Sequence, residues 1–419
     1  MCDLAVRGGK VYIEGDFVET NVYINDGKIV KLTDETLSSK EEIDARGLFV
    51  LPGLIDPHVH MALDLGAITS CDDFESGSVA AAKGGVTTIL DFLDPVAHED
   101  DLIRAFEKRY KIAQKSIIDF GFHATLSSFH GDIGKIVKQV KQLGMSSVKV
   151  FTTYSESGRM IEKEHLSALL KHNIITMVHA EDDALVDASW EDIATYESSR
   201  PLEAELSALN QLLEMKIKGK LYVVHVSSGS GVEKLAGKPN VFVESCPQYF
   251  YYDKRVFALE NGSLYLLAPP FRGASEKEKL KMNIRNIHTI GTDHCPFKKT
   301  EKTASDKASE IPKGVGGIAY SFLLMYNLYG NSIIDKMSTN VADIFGLKGK
   351  GRIQAGNDAD LMLFDPEGKT IVKGSGVCDY SIYDGLSLKG SIRSTLVRGK
   401  FVMKDGKITS ANGRYVRGE

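Results

Sequence analysis

LIDPHVH, residues 54–60, is a short apolar run that ends in ionisable side chains. Comparable runs recur at TTILDF (87–92), DFGFHATLS (119–127), VKVFTTY (148–154), IITMVHAE (174–181), LYVVHVSS (221–228), VFVESCPQ (241–248) and IHTIGTDHCP (287–296). Amphipathic segments separate most of them, among them DDFESGSVAAAKGG, DLIRAFEKRYKIAQK, IEKEHLSALLKH and EAELSALNQLLEMKIKG. In EHLSALLKH the spacing places Leu166, Leu169 and Leu170 on one face, as a helix packed on one side requires. Eight strands alternating with helices over about three hundred residues is the size of a (β/α)8 TIM-type barrel. An open doubly wound sheet is the competing α/β arrangement, and the lack of a glycine-rich phosphate loop after the first run weighs against it.

The two ends of the chain read differently. LAVRGGKVYI, FVETNVYINDGKIVKL and LFV near the start, and DADLMLFDP, KTIVKG and SIRSTLVRGKFVMKDGKITS near the end, carry β-branched residues. Gly9, Asp26–Gly27 and Asp405–Gly406 mark hairpin turns between them. We expect residues 1–51 and 352–419 to fold together as a small β-sandwich beside a catalytic barrel of residues 52–351. A chain of 419 residues suits one large domain and one small one.

A net charge of −5 with no basic stripe gives no support for nucleic-acid binding. No apolar run reaches the about 18 residues of a membrane span. Asp3 and Arg7 fall where a signal peptide needs an apolar stretch. Cys2, Cys71, Cys246, Cys295 and Cys378 show neither zinc-finger nor secreted-disulfide spacing, which fits a reducing cytoplasm.

The chemistry is concentrated where the runs end. Strand one ends at His58 and His60, strand four carries Lys149, strand five His179, strand six His225 and strand eight Asp293. In a barrel, catalytic groups collect at the C-terminal ends of several strands. His58 and His60 are two apart on a strand and so leave the same face, which suits chelation of one ion. Taken singly, His58 and His60 read equally well as buried packing residues, His179 and His225 read more often as packing residues, and Asp293 could cap a loop. Four histidines and an aspartate on four strand ends together read as a metal site. Lys149 has apolar neighbours on both sides, and a lysine aimed into a barrel is costly to bury charged. It forms either a partly buried salt bridge or an uncharged amine carrying CO2 as a carbamate, an anion able to bridge two cations. His98, His123, His130, His172 and His288 read as structural, and His294 mainly so, although it adjoins Asp293. Cys246 and Cys295 read as packing. Glu244 ends strand seven and is placed to orient a ligand or a loop.

DPHVH, VKVFTTY, VHAED, VHVSS, ESCPQYF, PPFRG and TDHCPF stand in the order and context of the cyclic amidohydrolases. The chain most resembles the hydantoinase/dihydropyrimidinase branch, over essentially its whole length including KGRIQAGNDADLMLFDP. That resemblance implies two divalent ions, usually zinc. His58, His60 and Asp293 would hold one, and His179 and His225 the other. A carboxylated Lys149 and a hydroxide would bridge them. It implies opening of a hydantoin or dihydropyrimidine ring by attack of that hydroxide. Asp293 would accept the water proton and pass it to the leaving nitrogen, and Tyr154 would hydrogen-bond the oxyanion. The partner would be a small cyclic amide, and the assembly a homodimer or homotetramer.

The dihydroorotase pattern has an arginine two residues beyond the second histidine, and here that position is Ala62. Met61, Leu63 and Leu65 make the loop apolar, which suits a neutral or apolar substituent, and CDDF (71–74) continues the likeness to hydantoinases. The family contacts its substrate ring through backbone at a serine before Pro-Pro and at an asparagine of an IPNG-like segment. Ala268 and Lys313 stand at those positions, and Lys313 would favour an acidic substituent. The competing readings are a relative acting on allantoin, dihydroorotate or another cyclic ureide, and a non-catalytic scaffold. The scaffold predicts missing ligands, whereas all six are present.

Overall fold

The eight runs form eight strands, Leu54–Val59, Val86–Phe92, Asp119–Thr125, Ser147–Phe151, Ile175–His179, Lys220–Val223, Val241–Ser245 and Thr289–Ile290, in a computed structural model that describes residues Met1–Glu419. Each pairs in parallel with the next in sequence, which excludes the reordered strands of a doubly wound sheet. Strand eight is only two residues long, and the seam back to strand one is closed by other means. Val59 bridges His294, and the His60 amide donates to the His294 carbonyl at 2.9 Å. The buried Asp56 carboxylate accepts from the Thr292 amide at 3.1 Å and from its hydroxyl at 2.6 Å. Burial still pushes the Asp56 carboxyl up to about 6.

The helices form where the amphipathic segments predict them. Phe74–Lys83 starts at Asp73, whose carboxylate accepts from the Glu75 and Ser76 amides at 3.0 and 2.9 Å, and it stops at Gly84. Such a cap satisfies N–H groups that the first turn leaves unpaired. Leu166, Leu169 and Leu170 are all buried along helix Lys163–Leu169 and its end. Helix Thr339–Phe345 closes the floor of the barrel. Phe345 meets the inward-facing Tyr222 and His123 rings at 5.1 and 5.2 Å.

The chain ends knit into two sheets. Lys28–Thr33, Asn21–Asn25, Cys2–Arg7 and Ser39–Asp44 form one, in that order. The other joins both ends, because Phe49–Pro52 runs antiparallel to Leu361–Ile371 while pairing in parallel with Lys10–Ile13. Val6, Val11, Ile24, Val50, Leu361 and Leu396 fill a common core beneath them. Asp26–Gly27 and Asp405–Gly406 turn with positive φ at both residues, as tight two-residue hairpins require. The fold is thus a (β/α)8 barrel with a small β-sandwich built from both chain ends. The last residues leave the sandwich. The Phe120 amide donates to the Arg414 carbonyl at 3.0 Å, and Tyr415 packs on Phe106, Tyr110 and Phe122 beside the barrel. All five cysteines are unpaired, and no helix is long and apolar enough to cross a membrane.

Candidate metal centre and active site

The parallel strands carry the polar residues to one mouth. His58 lies on strand one with His60 just beyond it, Lys149 on strand four and His179 at the end of strand five. His225 follows strand six and Asp293 follows strand eight, both with positive φ (39° and 52°). Left-handed backbone at a residue other than glycine costs about 1–3 kcal/mol and concentrates where geometry is functional. Beneath them Gly291 has no room for a side chain, since a Cβ there would lie 3.0 Å from the Glu244 carboxyl carbon and the His58 Cβ.

Two sets of ligand atoms face each other. His58 Nε2 and His60 Nε2 approach the same oxygen of Asp293, at 3.2 and 3.1 Å. His179 Nδ1 lies 3.0 Å from His225 Nε2. The His58 and His225 rings are 5.3 Å apart, so the sets adjoin. Lys149 is buried beside them and forms no hydrogen bond or ion pair, with Nζ 5.4 and 5.2 Å from the centroids of Phe92 and Phe151. The salt bridge that the sequence left open for Lys149 is not formed. Burial draws its amine down to about 8, against the pull of Asp293 and Glu244.

Carboxylates behind the rings decide which nitrogen each presents. Glu244 Oε1 takes His58 Nδ1 at 2.7 Å and the His225 amide at 2.9 Å, while Tyr222 donates to its other oxygen at 2.8 Å. Glu181 holds His179 Nε2 at 2.6 Å and is itself held by Arg200 at 2.6 Å. Carboxylate–histidine pairs of this kind fix the tautomer of a metal ligand. Burial drives His60 and His179 down to about 4, and drives His225 well below the ordinary range. These rings are neutral near pH 7, as ligation requires. Burial also opposes charge on His58, but Glu244 and Asp293 outweigh it and raise that ring to about 9. With burial opposing, His58 and His60 hold the Asp293 carboxyl well below the usual range. His58 Nε2 and His225 Nδ1 are buried without a well-formed hydrogen bond. Imidazole nitrogens and a carboxylate converging without well-formed hydrogen bonds between them fit a divalent cation.

The mouth opens into a cavity of about 320 Å³ whose wall includes Leu63, Leu65, Tyr154, Ala268 and Lys313. Met61 is not on that wall. It is fully buried against helix Phe74–Lys83, so close to Gly77 that a Cβ there would meet its sulfur at 2.2 Å. Ala62, with φ 47°, breaks the alternation between them, so Leu63 and Leu65 line the cavity while the Met61 backbone is held by Asp91 and Arg109. Tyr154 lies beyond the end of strand four, in a turn with φ 72°. Its hydroxyl has no partner within the chain, and burial pushes it up to about 12 despite Arg200, so it is a proton donor at neutral pH.

Glu181 and Arg200 were missed in the sequence. Glu181 had a signal, since it lies two residues after His179 and so shares its face. Arg200 had none. Of the histidines read as structural, His294 turns away from the mouth, pairing with Asp72 at 3.1 Å and accepting from the Gly317 amide at 3.1 Å. A second acidic cluster, Asp119, Asp358 and Asp360, is filled by a cation of the chain, because Lys350 Nζ lies 2.5, 2.8 and 2.6 Å from their oxygens.

A barrel with converging histidines, an aspartate and a buried lysine at its C-terminal mouth defines a divalent-metal hydrolase site. The comparisons agree. Residues 49–402 match the amidohydrolase family, and the chain belongs to it. It is 30% identical to a D-phenylhydantoinase of Escherichia coli K12, over 98% of this chain and 97% of that protein. Among solved structures, dihydropyrimidinase from Brevibacillus agri NCHU1002 superposes with a TM-score of 0.91 at 29% identity, covering 99% and 98% of the two chains. L-Hydantoinase (dihydropyrimidinase) from Arthrobacter aurescens gives 0.90 at 27%, covering 100% of both.

Proposed function

We propose that this protein opens the ring of a cyclic amide of the hydantoin or dihydropyrimidine kind, using two divalent ions. The observation that carries this reading is the pair of facing ligand sets with Lys149 beside them. His58, His60 and Asp293 would hold one ion and His179 and His225 the other, with zinc the metal that suits this donor set. Lys149 would join them as a carbamate, because it is a buried amine with no counter-ion and a carbamate would give it ligands. When bound, divalent ions supply the Lewis acidity that acidifies a water and polarises an amide carbonyl. Asp293, beside His58 and His60, is placed to accept a proton from an attacking water and to return it to the ring nitrogen as the C–N bond breaks. The free hydroxyl of Tyr154 donates to the carbonyl oxygen as it gains charge. Leu63 and Leu65 cover the ring from the loop after strand one. Ala268 and Lys313 lie on the same wall, where their backbone groups would face the imide edge.

Both D- and L-named hydantoinases superpose on this chain at similar levels, so stereochemical preference belongs to the cavity wall rather than the fold. The assembly we propose is a homodimer or homotetramer, which light scattering would read, and a cytoplasmic setting suits five unpaired cysteines. A scaffold role is disfavoured because the six expected ligands converge. The deciding experiment is turnover by zinc- or manganese-loaded protein of dihydrouracil, hydantoin, a 5-aryl hydantoin, dihydroorotate and allantoin. Opening of dihydrouracil or a hydantoin, abolished by chelator, is the expected result. Loaded protein that opens none of the five would overturn the reading.

A further inference from the structure

Five basic side chains stand on or directly behind the cavity wall, and their compensation is unequal. Arg109 is held by Asp91 at 2.9 Å and by the Met61 carbonyl. Arg200, behind Tyr154, is held by Glu181. Lys149 belongs to the metal centre. Two remain. Lys313 Nζ donates to the carbonyls of Ala308 and Ile311, which leaves one of its three hydrogens free, and no carboxylate lies in ion-pair range. Lys302 shows the contrast. It gives all three hydrogens to the carbonyls of Leu266, Pro312 and Gly314 and is simply structural. The Arg159 side chain is half-buried with no hydrogen bond or ion pair, its guanidinium 5.8 Å from the centroid of the Tyr154 ring. The acidic residues on the wall do not neutralise these two. Asp293 faces the histidines, Asp94 pairs with Lys108 at 2.6 Å, and Asp64 is exposed and accepts from the Gly66 amide of its own loop at 2.8 Å.

We infer that the substrate is a cyclic ureide whose ring substituent ends in a carboxylate, held by Arg159 and Lys313 at the Tyr154 side of the cavity. The inference rests on the cyclic-amide reading above and narrows it. Partly buried cations without counter-charge are costly, and an anionic ligand recovers that cost. Burial, with Arg200 adding to it, already draws the Lys313 amine down to about 8. One planar carboxylate matches a guanidinium fork plus a single remaining ammonium hydrogen. Both cations line the cavity that holds Tyr154, with the Arg159 guanidinium 5.8 Å from the Tyr154 ring and the Lys313 amine 5.6 Å from the Tyr196 ring. A cavity of about 320 Å³ takes a five- or six-membered ring with a short arm. Leu63 and Leu65 would then cover the ring and the methylenes rather than a large apolar group.

The test uses two hydantoins of one shape, 5-(2-carboxyethyl)hydantoin and 5-(2-carbamoylethyl)hydantoin, with metal-loaded protein. The acid is expected to exceed the amide by about tenfold or more in kcat/KM, chiefly through KM. That ratio should shrink in Arg159→Gln, in Lys313→Gln and at high salt, and because it is internal to each variant it does not depend on their absolute activity. Opening of both compounds at equal kcat/KM by the unmodified protein would overturn the inference and leave the cyclic-amide reading standing. If neither ring opens, the cyclic-amide reading fails for these rings, and calorimetric binding of the two compounds to the loaded protein decides the inference. Tighter binding of the acid that is lost in Arg159→Gln supports it. Equal binding, or no binding of the acid, overturns it.

Discussion

Lys149 Nζ faces two aromatic rings and two sets of ligand atoms with no carboxylate in ion-pair range. A buried amine in that position would gain ligands as a carbamate if the proposed ions are bound. Lys149→Ala is expected to lose bound metal and to cut turnover by more than about a hundredfold. Acetate or propionate should restore part of the activity by occupying the vacated place, and full activity without them would exclude the carbamate. Glu244 tests the next layer. It fixes the His58 ring and the His225 backbone at once, so Glu244→Gln should weaken metal binding by about 10–100-fold in a chelator competition. Undiminished affinity would show that packing alone orients the rings. The gathering of His58, His60, His179, His225 and Asp293 at one mouth was legible because each lies at or near the end of an apolar run, and Lys149 stood out as a lysine inside one. Arg200 was not, because its tie to Glu181 depends on a loop whose path no local pattern announces.

At the scale of elements, periodicity announced the eight strands, and their order followed from connection by helices. The extent of strand eight was overestimated. IHTIGTDHCP reads as one strand, but only Thr289–Ile290 forms ladder pairs, because the backbone then bends to aim Asp293 into the mouth. Hydrogen bonds to Asp56 and the His294 carbonyl replace the missing ladder. The C-terminal tail differs from its sequence reading for another reason. SANGRYVRGE has no strand pattern, and it finds its place through Tyr415 and Val416 against barrel residues. Tyr415→Ala should therefore destabilise the protein by about 2 kcal/mol, below the about 3–5 of a fully buried aromatic, since Tyr415 keeps some exposure. Urea unfolding would measure it, and an unchanged midpoint would mean that the tail is merely draped on the surface.

For the whole molecule, a buried charge cluster adds to the apolar joint between barrel and sandwich. Asp119 comes from barrel strand three and Asp358 and Asp360 from the approach to the sandwich, and Lys350 is buried among them with Arg398 and Arg414 at the edge. Lys350→Met should cost about 3–5 kcal/mol, because it leaves buried carboxylates without their cation. An equally stable variant in urea unfolding would refute that account. Burial works against the Asp358 carboxylate, yet Lys350, Lys28 and Arg414 bring it down to about 2. A depressed folded-state value contributes stability that is complete above the unfolded value near 4 and is lost as pH falls towards 2. Its share is about 2 kcal/mol, so unfolding midpoints should fall between pH 4 and 2, and less so in Lys350→Met.

The barrel, the sandwich drawn from both ends and the set of polar strand ends can be read along the chain, because they rest on period, turn chemistry and the order of segments. Tertiary structure alone decided which nitrogen each histidine presents, that Met61 turns away from the cavity, and that Lys149 has no counter-ion. It also decided that Lys350 is neutralised while Lys313 and Arg159 are not. The reason is physical. Charge compensation and ring orientation depend on partners brought together from distant parts of the chain, such as Glu244 with His58 and Asp119 with Lys350, and no pattern along a single segment specifies them.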